Sequence, residues 1–249
     1  MQTPVSLFTS APSISDQLSI VPAAPAVLPL SSVQAVEKIV PVVEGKGVGF
    51  SSASKVELPV EVGASSALAS LAERAATCRL CALSEARTQV VFGAGNPNAD
   101  LVFIGEAPGH DEDLKGEPFV GQAGQLLDRM LTAMGMDRDQ VYMMNTIKCR
   151  PPNNRDPRPD EVQACNLWFE QQLDLLRPKM ICLLGRVAAQ TVLGSDAPLG
   201  SLRGRWHDYR GVPVWVTYHP AFLLRSPAQK QKGWQDLQEL LAEYRSLND

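Results

Sequence analysis

The run Leu101-Val-Phe-Ile-Gly-Glu-Ala-Pro-Gly109 limits the possible folds of this chain more than any other stretch. Its four consecutive apolar residues suit a strand buried on both faces, and Gly105, Pro108 and Gly109 end regular structure immediately afterwards. The loop runs on through His110-Asp-Glu-Asp113 to Gly116-Glu-Pro-Phe-Val-Gly-Gln-Ala-Gly124, after which Leu126, Leu127, Met130, Leu131 and Met134 recur at helical spacing. In an open α/β sheet, this order of strand, elaborate loop and helix places a ligand at the strand's carboxyl end. Glycines there let backbone approach a flat or anionic ligand closely. Neither Gly-x-x-x-x-Gly-Lys-Ser/Thr nor Gly-x-Gly-x-x-Gly follows the strand, so no nucleotide fingerprint is present. Phe119, an aromatic in a glycine-flanked loop, is a candidate stacking platform.

The same grammar repeats along the chain. Val141-Tyr-Met-Met-Asn-Thr-Ile-Lys-Cys149 reads as a strand with Asn145 near its exit, and the Pro151 to Pro159 passage excludes a regular helix. Asp160 is expected to cap a helix whose apolar face holds Val162, Cys165, Trp168, Phe169 and Leu173. Lys179 to Gly185 is another buried strand, followed by a helix from about Arg186 to Leu193. Val212 to Pro220 carries His219 to the last strand exit, and Lys232 to Tyr244 closes as a helix. Ala67 to Ala76 is a further helix. Strands interspersed with helices imply a three-layer α/β/α fold around a central, largely parallel four-stranded sheet.

Residues 1–66 differ in composition: rich in Ser, Pro, Ala, Val and Gly, with Phe8 and Phe50 their sole aromatics. They are expected to form a disordered extension ahead of a 67–249 domain, with their Val-rich patches as candidate short docking segments. The start lacks a positive region followed by an apolar core, and no span of about 20 apolar residues occurs. A cytoplasmic protein without membrane spans, and a monomer, is expected. The formal charge of -4 announces no global basic field. Arg150, Arg155 and Arg158 form one local basic cluster and Arg203, Arg205 and Arg210 another, either of which can steer a polyanion.

Five cysteines are an odd number for disulfides, and Cys78-Arg-Leu-Cys81 suits metal ligation in a reducing compartment. Cys182 lies inside an apolar run and reads as core. Cys78, Cys81, Cys149 and Cys165 remain as a set able to hold either structural zinc or a four-iron, four-sulfur cluster, and spacing alone does not choose.

The combination of Gly105-Glu-Ala-Pro-Gly109, Glu112-Asp113, Gly116 to Gly124, Asn145-Thr-Ile-Lys-Cys-Arg150, His219-Pro220 and the four cysteines resembles the family-4 iron-sulfur uracil-DNA glycosylases, over about residues 68 to 245. The resemblance implies the uracil-DNA glycosylase type of sheet and removal of uracil from single- or double-stranded DNA by N-glycosidic hydrolysis. It implies one 4Fe-4S cluster on Cys78, Cys81, Cys149 and Cys165, and nucleoid association when the protein engages DNA. Glu106 and His219 become the expected catalytic pair. Gly105, Glu106, Ala107, Phe119, Asn145 and His219 are expected to bind the base, with Phe119 stacking and Asn145 reading the O4 and N3-H edge. Lys148, Arg150, Arg155 and Arg158 are expected on DNA phosphates, and Leu223, Leu224 and Arg225 on the strand or in the space of the extruded base. Ala107 stands where some relatives place a water-activating aspartate, which leaves the general base unassigned. A catalytically inactive or covalently uracil-binding protein that recruits a partner to DNA is the alternative.

Overall fold

The computed structural model describes residues 63–247. The expected extension over residues 1–66 therefore lies almost entirely outside the described residues. Six strands form one sheet: β1 (Ala94–Gly95), β2 (Leu101–Gly105), β3 (Tyr142–Asn145), β4 (Met180–Leu184), β5 (Trp206–Tyr209) and β6 (Val212–Thr217), in the order β1-β3-β2-β4-β6-β5. The inner four run parallel, while β1 pairs antiparallel with β3 and β5 antiparallel with β6. The four-stranded expectation is thus corrected to a mixed sheet of six. Sequence reading missed the edges because β1 has two residues and β5 alternates exposed with half-buried positions. Neither resembles the fully buried apolar runs of β2 and β4.

Alternation along the inner strands supplies two cores. Val102, Ile104, Ile181, Leu183, Val214 and Val216 face helices α1 (Ala64–Ala76), α5 (Pro159–Leu176) and α6 (Arg186–Leu193). Leu101, Phe103, Met143, Met180, Cys182, Leu184 and Trp215 face α4 (Gln122–Ala133) and α9 (Lys230–Ser246). Period-two strands buried on both faces require helices on both sides, which is the physical basis of the layering. Shorter helices α2 (Leu83–Ala86), α3 (His110–Lys115), α7 (Leu199–Leu202) and α8 (Pro220–Arg225) occupy connections. Among the described residues no helix is long and apolar enough to cross a membrane.

Two local expectations change. The first helix starts at Ala64, three residues before Ala67. The cap of α5 is formed by the Glu161 carboxylate, which accepts the Arg158 backbone N–H at 2.8 Å, rather than by Asp160. Proline at the first helical position favours the earlier start at Pro159.

Because β2, β3, β4 and β6 are parallel, their carboxyl ends share one edge. Gly105 is in register with Asn145, and Leu184 with Thr217. Residues at or just beyond each exit, Glu106, Asn145, Gly185 and His219, therefore meet although they are far apart in sequence.

Candidate active site and cysteine pocket

A cavity of about 470 Å³ opens at this edge, lined by Glu106, Ala107, Phe119, Asn145, Asp156, Arg186, His219 and Arg225 among others. Its floor depends on absent side chains. A Cβ on Gly105 would come 2.5 Å from Asn145 Oδ1 and 2.6 Å from Phe119 Cζ, so glycine is what lets the ring and the amide converge. Phe119 holds a positive φ of 55°, which a bulky residue adopts only when its surroundings impose it. Arg138 Nη1 donates to the Phe119 carbonyl at 2.9 Å and Nη2 to that of Pro118, while Glu112 Oε1 accepts the N–H groups of Val120 and Gly121. Gly124 passes beneath, where a Cβ would lie 1.7 Å from the Phe119 carbonyl oxygen. Glu112 and Asp113 are therefore loop organisers, Asp113 accepting the backbone N–H groups of Thr88 and Gln89.

His219 stands across from Phe119, with ring centroids 6.1 Å apart. It caps α8: Nδ1 accepts the Ala221 backbone N–H at 3.1 Å. Burial, assisted by Arg225, pushes its pKa down to about 4. The ring is neutral at physiological pH, and with Nδ1 accepting, its proton resides on Nε2. Glu106 is shifted the other way, up to about 7, chiefly by burial and secondly by the Asp156 carboxylate, with Arg186 opposing. Arg186 pairs with Asp156 at the cavity mouth. Sequence reading passed over both. Arg186 had a signal, since it follows the strand-ending Gly185 just as Glu106 follows Gly105.

The residues expected on DNA separate. Arg225 is exposed on the cavity wall, Arg158 is exposed on the preceding loop, and Leu224 is half-buried. Arg150 holds His110 Nδ1 and Asn154 Oδ1, and Arg155 pairs with Glu161 while lining the cavity. Lys148 is a correction: it is 1% exposed and its ammonium is bonded inside the protein, out of reach of any phosphate. Leu223 is another, since it is 2% exposed and packs against Gly233 instead of projecting as a wedge. The basic stretch around residue 205 is also largely neutralised, because Arg203 pairs with Asp236 and Arg210 with Glu170 and Asp174.

On the α5 side of the sheet, Cys78, Cys81, Cys149 and Cys165 line one narrow pocket. Three N–H donors aim at sulfur: Trp168 Nε1 to Cys78 at 3.1 Å, Arg87 Nη1 to Cys149 at 3.2 Å, and the Lys148 backbone N–H to Cys165 at 3.3 Å. Burial pushes the Cys165 thiol up to about 12 and raises Cys149, so their thiolates need a cationic partner. Among the described residues no group of three or more His, Cys, Asp or Glu side chains is gathered as a single-ion site. Four soft donors spread around a pocket, with N–H groups supplied to their sulfurs, fit a thiolate-ligated cluster. Cys182, fully buried in the opposite core, is not part of this set.

Comparison with known proteins agrees with this architecture. Residues 92–238 match the model of the uracil DNA glycosylase superfamily. A type-4 uracil-DNA glycosylase of Archaeoglobus fulgidus is 43% identical over 172 residues, covering 66% of this chain and 86% of that protein. One from Thermotoga maritima is 42% identical over 158 residues, covering 63% and 82%. A type-5 uracil-DNA glycosylase of Pyrobaculum aerophilum falls to 31% over 144 residues, covering 51% and 63%. With the α/β sheet and the strand-exit cavity inside the matched region, and type-4 relatives matched over most of their own length, this chain belongs to the uracil DNA glycosylase superfamily, in its type-4 branch.

Proposed function

We propose that this chain is a monofunctional uracil-DNA glycosylase that hydrolyses the N-glycosidic bond of uracil in single-stranded and duplex DNA, leaving an abasic site that initiates base-excision repair. The observation that carries the reading is the meeting of Phe119, Asn145 and His219 in one cavity roomy enough to admit an extruded nucleotide. A stacked duplex base cannot reach such a recess, so the nucleotide is extruded, at less cost from a single strand. Phe119 offers its face to the pyrimidine, and the Asn145 amide donates to O4 and accepts from N3-H. Nε2–H of His219 donates towards O2. As the C1′–N1 bond breaks, its electrons pass to the base, and the O2 hydrogen bond strengthens with that negative charge. Water oxygen bonds to C1′ and gives up a proton to solvent, and the departing uracil anion takes up a proton, so that one water is divided between sugar and base. Glu106, with a carboxylate at the same wall, orients that water and supports the cationic sugar. Among the described residues no lysine lines the cavity, which favours hydrolysis by water over amine-mediated strand cleavage. Arg225 and Leu224 brace the DNA at the cavity mouth, with Arg150, Arg155 and Arg158 on the adjoining loop. Recruitment of a replication or repair protein through residues 1–66 is compatible with their composition.

Uracil release under single-turnover conditions tests the reading on both substrate forms. With Glu106 titrating at about 7, it is protonated below that pH and ionised above it. The rate is therefore expected to rise through neutral pH and level off. Glu106→Gln is expected to lower the plateau by roughly tenfold, about 1.4 kcal/mol of barrier, and to flatten the profile. A pH-independent rate in the unmodified protein removes the carboxylate from the mechanism. Binding without release, or a persistent protein-DNA adduct, supports the inactive or covalent alternative.

The cysteine pocket is assigned one 4Fe-4S cluster on Cys78, Cys81, Cys149 and Cys165. When bound, it supplies a structural crosslink between the α1–α2 connection and the segment from Cys149 to Cys165, with no electron transfer required for hydrolysis. Anaerobically purified protein is expected to contain about four iron and four sulfide per chain. Stoichiometric zinc without sulfide overturns the assignment.

A further inference from the structure

Lys148 is the buried amine that the proposed chemistry leaves unused. Its ammonium donates to the Asn145 carbonyl at 2.9 Å and to Gln172 Oε1 at 2.5 Å, and lies over the rings of Phe92 and Phe169 at 5.6 and 5.9 Å. These surroundings give the buried amine two oxygen acceptors and two aromatic faces, so its geometry is fixed from several sides. Gln172 is itself anchored, donating to the Phe92 carbonyl and the Tyr142 hydroxyl. The backbone of Lys148 is held on both sides, its N–H by Cys165 Sγ and its carbonyl by the Val91 N–H at 2.8 Å.

We infer that Lys148 is a positioning residue for base selection, tying the turn that carries Asn145 to the cysteine pocket and so fixing the angle of the Asn145 amide in the cavity. The inference rests on the proposed base-reading role of Asn145. The hydrogen bond joins the side chain of one residue to the carbonyl three residues earlier, closing the turn Asn145-Thr-Ile-Lys148 upon itself. The Asn145–Thr146 peptide is held on its N–H side by the Gly105 carbonyl at 3.0 Å and on its carbonyl side by Lys148, so loss of the lysine removes one of its two anchors and loosens the amide where β3 ends. The backbone anchors at Cys165 and Val91 keep the lysine end of the turn stationary. Position is thus transmitted from the cysteine pocket to the base-reading amide through one side chain.

The test is a double-mutant cycle on the full chain between Lys148→Met and Asn145→Ala, with Lys148→Gln carried in parallel as a polar replacement. The rate of uracil release is measured with saturating enzyme, alongside discrimination between uracil and cytosine. Melting temperature, iron content and visible absorbance report on the fold and the cysteine pocket. Either lysine variant is expected to slow uracil release about tenfold and weaken discrimination with iron content retained, since small misplacements of a positioning group have effects of this order or larger. In the Asn145→Ala background the same lysine change is expected to have almost no further effect. Equal factors in both backgrounds overturn the inference and make Lys148 ordinary scaffolding. Loss of iron with both variants also overturns it. If Asn145→Ala alone releases uracil at the unmodified rate, the base-reading assignment fails and this inference falls with it.

Discussion

Replacing His219 by alanine is expected to slow single-turnover uracil release by about 10²–10³-fold, with DNA binding nearly unchanged, which is the usual effect of deleting one donor aimed at a developing oxyanion. Acceptance of the Ala221 N–H by Nδ1 leaves the ring proton on Nε2, and a pKa near 4 keeps the ring neutral. A neutral donor stabilises the uracil anion without becoming a cation in a buried wall. The rate should therefore show no inflection near the ordinary histidine pKa, and only strongly acidic conditions should protonate Nδ1 and release the cap. His219→Ala also leaves the Ala221 N–H without its partner, at a cost of about 1 kcal/mol of stability. A melting curve separates that loss from catalysis. Unchanged release by a folded variant excludes the O2 donor role.

Asn145→Asp is expected to lower uracil release by about 10- to 100-fold and to narrow the preference for uracil over cytosine. The amide presents one donor and one acceptor, matching O4 and N3-H of uracil, whereas an ionised carboxylate presents acceptors alone. O4 would then face an oxygen, and a lost buried interaction costs on the order of 1–3 kcal/mol. Cytosine offers an amino donor at C4, so its penalty falls in the same variant. Competition between uracil- and cytosine-containing strands of identical sequence measures the ratio directly. An unchanged ratio, in a variant that folds and retains iron, assigns base selection elsewhere in the cavity.

The inner strands and the exits that carry Glu106, Asn145 and His219 were legible because each apolar run ends in glycine, proline or a polar residue. Burial of a strand on both faces leaves little freedom in composition, so β2 and β4 are plain in the chain. Edge strands are not under that constraint, and β5 pairs on one side with exposed positions alternating along it. Glu112 was visible as part of a motif, but its task of holding Val120 and Gly121 became apparent only when the loop was seen folded back onto it.

Charge was the least legible property. Lys148 and Arg150 are separated by a single residue, yet one ammonium is enclosed by Asn145, Gln172 and two aromatic rings while the other cation remains partly exposed at the loop. Arg203 looks like a DNA-facing cation until α9 brings Asp236 to it from the far end of the chain. Leu223 and Leu224 are adjacent and equally apolar, but α8 buries the first and leaves the second half-buried. The sequence by itself determined the α/β class, the residues at the strand exits and the family, because local periodicity and closely spaced motifs carry those properties along the chain. Only the tertiary structure decided which cations are free, which leucine is packed, how many strands close the sheet, and which proton His219 offers, because each depends on partners that approach through space.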